Sequence, residues 1–263
     1  MTGIKRSILI FTFGGISSLM SQEVDITDEL ITDRPDATES AYTVPKKTIQ
    51  VETGAFFESY EANRTKTETI GYNTTLVRYG VFDNFEFRLG WNIEEIRTTV
   101  GGVKSDDVMS GLSPLLAGLK VEIVKEKGWI PQTSLLVHMA LPFTASDDFR
   151  PQNTGVDFRF SMAHTLSDKS SIGYNLGAQW GDDSAAANYI YTLVYGYSIT
   201  QKFGSYVEIY GDASKANKPN HFWDAGFTYL ISNVIQADIT VGKSFTEGQD
   251  FLLSTGLSFR IPK

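Results

Sequence analysis

The feature that most constrains this chain is a strict two-residue alternation of apolar and polar side chains, repeated in segment after segment. Phe85, Phe87, Leu89, Trp91 and Ile93 share one parity, while Glu86, Arg88, Gly90 and Asn92 share the other. A period of two belongs to an extended strand with two different faces; a helix would scatter the same apolar residues around its axis. The same rule runs through 49–59, 119–123, 134–141, 156–163, 172–180, 192–199, 223–229, 235–241 and 253–259, and less regularly through 69–82 and 203–211. Most of these segments approach the length of about ten residues that a tilted strand needs to cross a bilayer. Their total is about twelve, even-numbered as in single-chain bacterial barrels.

A soluble sandwich alternates too, so the connections decide. They read as long near 62–66, 97–113, 143–154, 181–187, 213–220 and 244–249, and as short at 83–84, 126–128, 167–169, 201–202 and 232–233. Outer-membrane barrels sort their connections in this way, with tight turns at the periplasmic rim and longer loops outside. Trp91, Trp180, Tyr191, Trp223 and Phe251 fall toward the long-loop ends, and Tyr79, Phe85, Tyr197, Phe203, Tyr229 and Phe259 toward the short-turn ends. Two aromatic girdles at headgroup level would look like this, although rings are also common in strands for packing reasons. Ser254, Gly256, Phe259 and Ile261 resemble the terminal-strand signal read by barrel-assembly machinery. The expected fold is all-β: an antiparallel up-and-down transmembrane β-barrel with a polar lumen, in the bacterial outer membrane. Its expected partners are membrane lipid, lipopolysaccharide, the assembly machinery and a small solute of unknown identity.

Three divisions are expected along the chain: a signal peptide over 1–21, a plug or periplasmic segment over 22–46, and the barrel over 47–263. The first has a basic start at Lys5 and Arg6, an apolar run from Ile8 through Phe13 to Ile16 and small residues before Gln22. The chain has no cysteine, which excludes lipidation on a thiol, disulfides and thiolate zinc sites. A net charge of -8 argues against a nucleic-acid partner. The three histidines are far apart, and no serine is placed to pair with one at the outer rim, so no enzyme activity and no cofactor are expected.

The candidate functional residues are inward-facing charges. Three strands carry opposite-sign dyads, Glu86/Arg88, Lys120/Glu122 and Asp157/Arg159, and Glu52, Arg78, Glu208, Asp224 and Asp238 have the same parity. Side by side they would form a ring that braces a narrow barrel, or a constriction that selects solutes. Inward glycines such as Gly54, Gly90, Gly173, Gly226 and Gly256 leave room near the wall. In the segment before the first strand, Pro35 and Pro45 oppose a wall strand, and Asp33, Arg34, Asp36 and Glu39 can pair with wall charges such as Arg78, Arg88 and Arg159. The segment is expected to fold into the lumen, with a disordered periplasmic tail as the alternative. The acidic doublets Asp106-Asp107, Asp147-Asp148 and Asp182-Asp183 read as solvated loop charges, or as cation sites bridging to lipopolysaccharide.

Ile31-Thr32-Asp33-Arg34-Pro35-Asp36-Ala37-Thr38-Glu39-Ser40, then Val44-Pro45-Lys46 and Gln50-Val51-Glu52-Thr53-Gly54, resemble the opening signature of a family of outer-membrane proteins. That family carries the label "putative MetA-pathway of phenol degradation". Leu76-Val77-Arg78-Tyr79-Gly80, Phe85-Glu86-Phe87-Arg88 and Gly118-Leu119-Lys120 are similar to its later blocks. The resemblance implies a barrel and uptake of small aromatic or apolar molecules, and it brings no catalytic residues. The function expected is a channel or transporter for small solutes; a non-transporting structural or surface-binding barrel with a closed lumen is the alternative.

Overall fold

The computed structural model describes residues 29–181, 186–214, 218–245 and 248–261. The expected signal peptide, its cleavage point before Gln22 and the Asp182-Asp183 doublet lie outside the described residues. The strands are β1 (Ile49–Ala62), β2 (Thr65–Phe82), β3 (Phe85–Val100), β4 (Val103–Leu112), β5 (Leu115–Val124), β6 (Gln132–Leu141) and β7 (Gly155–Ser167). They continue with β8 (Ser170–Trp180), β9 (Asn188–Ser198), β10 (Phe203–Ser214), β11 (Asn220–Ser232), β12 (Ile235–Ser244) and β13 (Gly248–Ile261).

Twelve of these strands close an antiparallel barrel. Each pairs with its neighbours in order, and β1 pairs with β13 from Ile49↔Ile261 upward. Closure is what a bilayer demands, because an open sheet edge would leave backbone N–H and C=O groups without partners in hydrocarbon. The fourth strand stands outside the wall. β3 pairs with β5 over Phe85–Gly90, but its distal part, Ile93–Val100, pairs with β4 instead.

The faces follow parity, inside out with respect to a soluble protein. Phe87 is 54% exposed and Leu176 55%, whereas Arg78 is 1% exposed and Glu86 and Lys120 are 0%. Large apolar side chains turned outward around a charged interior need lipid as their solvent. Leu136 breaks the chemical rule without breaking the parity: it faces inward, is apolar and is fully buried.

Several expected connections differ. The stretch 62–66 is a two-residue turn, Asn63-Arg64, both at positive φ (52° and 63°), between two strands that continue past the expected boundary. The stretch 97–113 is the β3–β4 hairpin, turning at Gly101-Gly102, and the stretch 126–128 lies in a longer connection from β5 to β6 closed by a Lys127–Ile130 bridge. The irregular alternation of 69–82 has a physical cause: β2 carries bulges at Gly71/Asn73 and Gly80/Phe82, and each extra residue inverts the parity. In 203–211 the disturbance is aromatic, with Tyr206 buried on the inner face and bonded to Thr240 at 2.7 Å.

Residues 29–48 precede the wall and lie within it. Leu30 N donates to Asn233 O in the β11–β12 turn at 3.0 Å. From there Ile31 and Asp33 meet inward residues of β1, β2, β3 and β5, Arg34 meets β12, Ala37 to Glu39 meet β10, β9 and β8, Ser40 and Ala41 meet β5 and β6, and Tyr42 and Val44 meet β2 and β3; the chain joins β1 through Lys47 N to Gly80 O and Gly80 N to Thr48 O. It makes a circuit of the lumen at the short-turn half of the barrel.

Candidate functional site

Wall parity brings Glu52 (β1), Arg78 (β2), Glu86 and Arg88 (β3) and Lys120 (β5) to one level, and Asp33 enters at their centre. Its carboxylate lies 2.6 Å from Arg88, 3.2 Å from Arg78 and 3.0 Å from Lys120. Arg78 binds Glu86 through Nε and Glu52 through Nη1, both at 2.9 Å, and donates through Nη2 to Tyr42 O at 2.8 Å. Arg88 reaches Glu86 at 3.0 Å and Glu39 at 2.7 Å. Three cations thus face four carboxylates with almost no water contact, and each charge has a partner of opposite sign, the condition under which buried charges are tolerated. Burial alone would raise the Asp33 carboxyl, but Arg78, Lys120 and Arg88 outweigh it and hold the group well below the usual carboxylate range.

The remaining wall charges extend an arc rather than a closed ring. Glu122 accepts from the N–H and the hydroxyl of Thr43, both at 2.9 Å. Asp157 and Arg159 pair with each other at 3.0 Å, and Arg159 reaches the Ala37 carbonyl at 3.5 Å instead of a carboxylate of the segment. On the opposite wall Glu208 takes the Ala37 N–H at 2.7 Å and the Thr38 hydroxyl. Asp224 lies beside Glu208, and its Oδ1 is buried without a hydrogen-bond partner among the described residues. Asp36 faces this acidic pair. Burial, then Glu208 and Asp224, push its carboxyl well above the usual range. Asp238 holds Arg34 at 2.9 Å. The doublet Asp106-Asp107 belongs to β4, and Asp148 accepts the Ser110 N–H at 3.0 Å.

Uncharged residues do as much of the holding as charged ones, and charge-seeking in the sequence passes over them. Asn175 accepts the Glu39 N–H at 2.8 Å and donates to the Glu39 carbonyl at 2.9 Å, satisfying both backbone groups of one residue. Gln50 donates to Ile31 O and to Glu52, both at 2.8 Å. His138 accepts from Arg88 Nε at 2.9 Å and stands 3.6 Å from Asp157. Inward parity was the available signal for all three.

The wall is also shaped for the segment by glycine. Gly54 and Gly256 are register partners on β1 and β13. A Cβ on the first would come within 2.7 Å of Arg34 Cζ, and one on the second within 2.6 Å. A Cβ on Gly80 would lie 2.6 Å from the Val44 carbonyl oxygen.

Cavities lie on both sides of the circuit. Toward the long connections a cavity of about 700 Å³ is lined by Leu116, His138, Asp157, Gln179, Trp180 and Asn220. It shares Leu116, His138 and Asp157 with a second of about 410 Å³, bounded by Thr74, Trp91, Asn92, Arg34, Glu39 and Arg88. Toward the short turns a cavity of about 390 Å³ is lined by Asp36, Lys169, Tyr197, Tyr206, Thr228 and Gln236.

Among solved structures, an outer-membrane channel from Pseudomonas putida F1 superposes with a TM-score of 0.64 at 14% identity, covering 84% of this chain and 98% of that one. The CymD monoaromatic hydrocarbon channel gives 0.45 at 8% identity, covering 83% and 89%. The KdgM porin gives 0.48 at 11% identity, covering 80% and 98%. No curated protein matches the chain. The first of these similarities shows a shared fold, and the closed barrel with its lipid-facing exterior is that of a bacterial outer-membrane protein. A family profile runs over residues 32–261, from the lumenal segment to the end of the last strand, and by that match the chain belongs to the family described as "Putative MetA-pathway of phenol degradation".

Proposed function

We propose that the protein is an outer-membrane channel for small solutes, with small apolar or aromatic molecules as the class favoured by the family's description. The observation that carries this reading is the division of a polar lumen into an outer and a periplasmic cavity by a thin circuit of chain. A barrel whose task was only structural would gain nothing from open space on both sides of its septum. Trp91, Trp180 and Leu116 give the outer cavities apolar surface beside hydrogen-bonding groups, the mixture that receives a ring bearing a polar substituent. In this role residues 29–48 are a plug and the charged cluster is its mounting. The outer face contacts membrane lipid and lipopolysaccharide, and the last strand is delivered by barrel-assembly machinery.

Liposome swelling with a panel of aromatic, sugar and ionic solutes tests the proposal, comparing the full chain with one lacking residues 23–44. Uptake by the full chain, enlarged by the deletion, is expected. No uptake by either form would favour the non-transporting barrel with a closed lumen, for which the tightly paired cluster also speaks.

A further inference from the structure

The outer and periplasmic cavities share one side chain of the circuit, Arg34, which lines both. At its level the wall has a gap, because Gly54 and Gly256 are paired across β1 and β13 and neither offers a side chain. The guanidinium occupies that gap, held by Asp238 at 2.9 and 3.3 Å, Ser254 at 3.1 Å and Thr74 at 3.4 Å. Two contrasts set Arg34 apart from the rest of the septum. Asp33 is gripped by three cations with 4% of its side chain exposed, whereas the Arg34 side chain is 17% exposed and has one carboxylate partner among the described residues. The backbone, in contrast, is pinned: the N–H groups of Asp33 and Arg34 both donate to Glu52, at 2.9 and 3.0 Å. The side chain can therefore leave while the chain that carries it stays.

Resting on the channel reading above, we propose that Arg34 is the gate of the solute path. The path is a slot along the β1–β13 wall, shut when Arg34 sits on Asp238 and open when its side chain swings into the outer cavity. The open slot has glycine on its wall side and an uncovered Asp238 carboxylate at its neck, so it passes cations ahead of anions and excludes solutes too wide for the space of an arginine side chain. The septum need not unfold or depart.

Planar-bilayer recording in potassium chloride, on full-length chains that keep heat-modifiable migration, tests the gate. Arg34→Ala should raise conductance several-fold and shift the reversal potential toward cation selectivity. Asp238→Asn leaves the arginine its volume and removes its charged partner; openings should become about tenfold more frequent without the cation preference. Wild-type conductance in both variants, beside strong conductance in the chain lacking 23–44, would overturn the gate and leave the channel standing. Silence in all three would overturn the channel reading and the gate with it.

Discussion

Asp33→Asn is the sharpest perturbation of the charged cluster. The side chain keeps its size and one acceptor oxygen, but Arg78, Arg88 and Lys120 lose the carboxylate they share. Removing one partner from a buried ion pair costs about 3–5 kcal/mol, because the other charge is left in a poorly solvated place. An exposed pair is worth about 1 kcal/mol or less. The surface pair Lys66–Glu68, 2.7 Å apart with side chains 39% and 28% exposed, supplies an internal control. Guanidinium unfolding of the detergent-solubilised barrel, followed by its heat-modifiable migration, should place Asp33→Asn about 3–5 kcal/mol below the wild type and Glu68→Gln within about 1 kcal/mol of it. Lys120→Met alone should also be costly. Combined with Asp33→Asn it restores the wild-type difference between cations and carboxylates in the cluster, so the double variant should be more stable than the sum of the singles by about 2 kcal/mol. Strict additivity, or equal losses from Asp33→Asn and Glu68→Gln, would refute the claim that these charges act as one buried network.

Further expectations concern acidity, space and lipid. The Asp33 carboxyl is held below its unfolded value of about 3.9, so its stabilisation is complete above that pH and vanishes as pH falls through the lower folded value. The gap between wild type and Asp33→Asn should thus be the same at pH 5 as at pH 7. Asp36 is shifted the other way, so wild-type stability should decline as pH rises from about 4, and Asp36→Asn should flatten that decline across a pH series of unfolding midpoints. Gly80→Ala places a methyl against the Val44 and Pro45 carbonyls, and protease cleavage within 29–48 should increase while the wall stays intact. Leu176→Arg puts a charge on the lipid face of β8, and folding yield into bilayers should reflect a cost of about 2–4 kcal/mol if the site lies near the midplane.

Much of the wall was legible because a bilayer enforces parity residue by residue, and Glu86 and Phe87 could not exchange places. Legibility ended where the bilayer ends. β4 reads Val103-Lys104-Ser105-Asp106-Asp107-Val108 and is exposed from Val103 to Ser110. With water on both faces no alternation is selected, so a strand passes for a loop. The turn at Asn63-Arg64 was hidden because its second positive-φ residue is arginine, not the glycine that usually marks such a position. In the lumen, parity named the charged residues but not their partners. The carboxylate of Asp33 chooses Lys120 over Arg159 because of where the circuit passes, and no spacing in the sequence encodes that path. Asn175 and Gln50 carried no charge to draw notice, and their roles depend on backbone groups that only the folded segment presents.

The circuit of residues 29–48 also bears on how the barrel is put together. The segment precedes every strand in the chain, yet it binds both ends of the sheet: Glu52 on the first strand and Asp238 and Ser254 on the last two. An assembly intermediate holding β1 to β5 already supplies Arg78, Arg88 and Lys120, so Asp33 can organise those strands before the remainder arrives. Arg34 cannot be seated until β12 and β13 are in place and the β1–β13 seam has zipped. Its seating on Asp238 is therefore a built-in record of closure: protection of the Arg34 guanidinium from an arginine-selective reagent such as phenylglyoxal should appear late and together with the seam, and an incompletely assembled barrel should be modified there first.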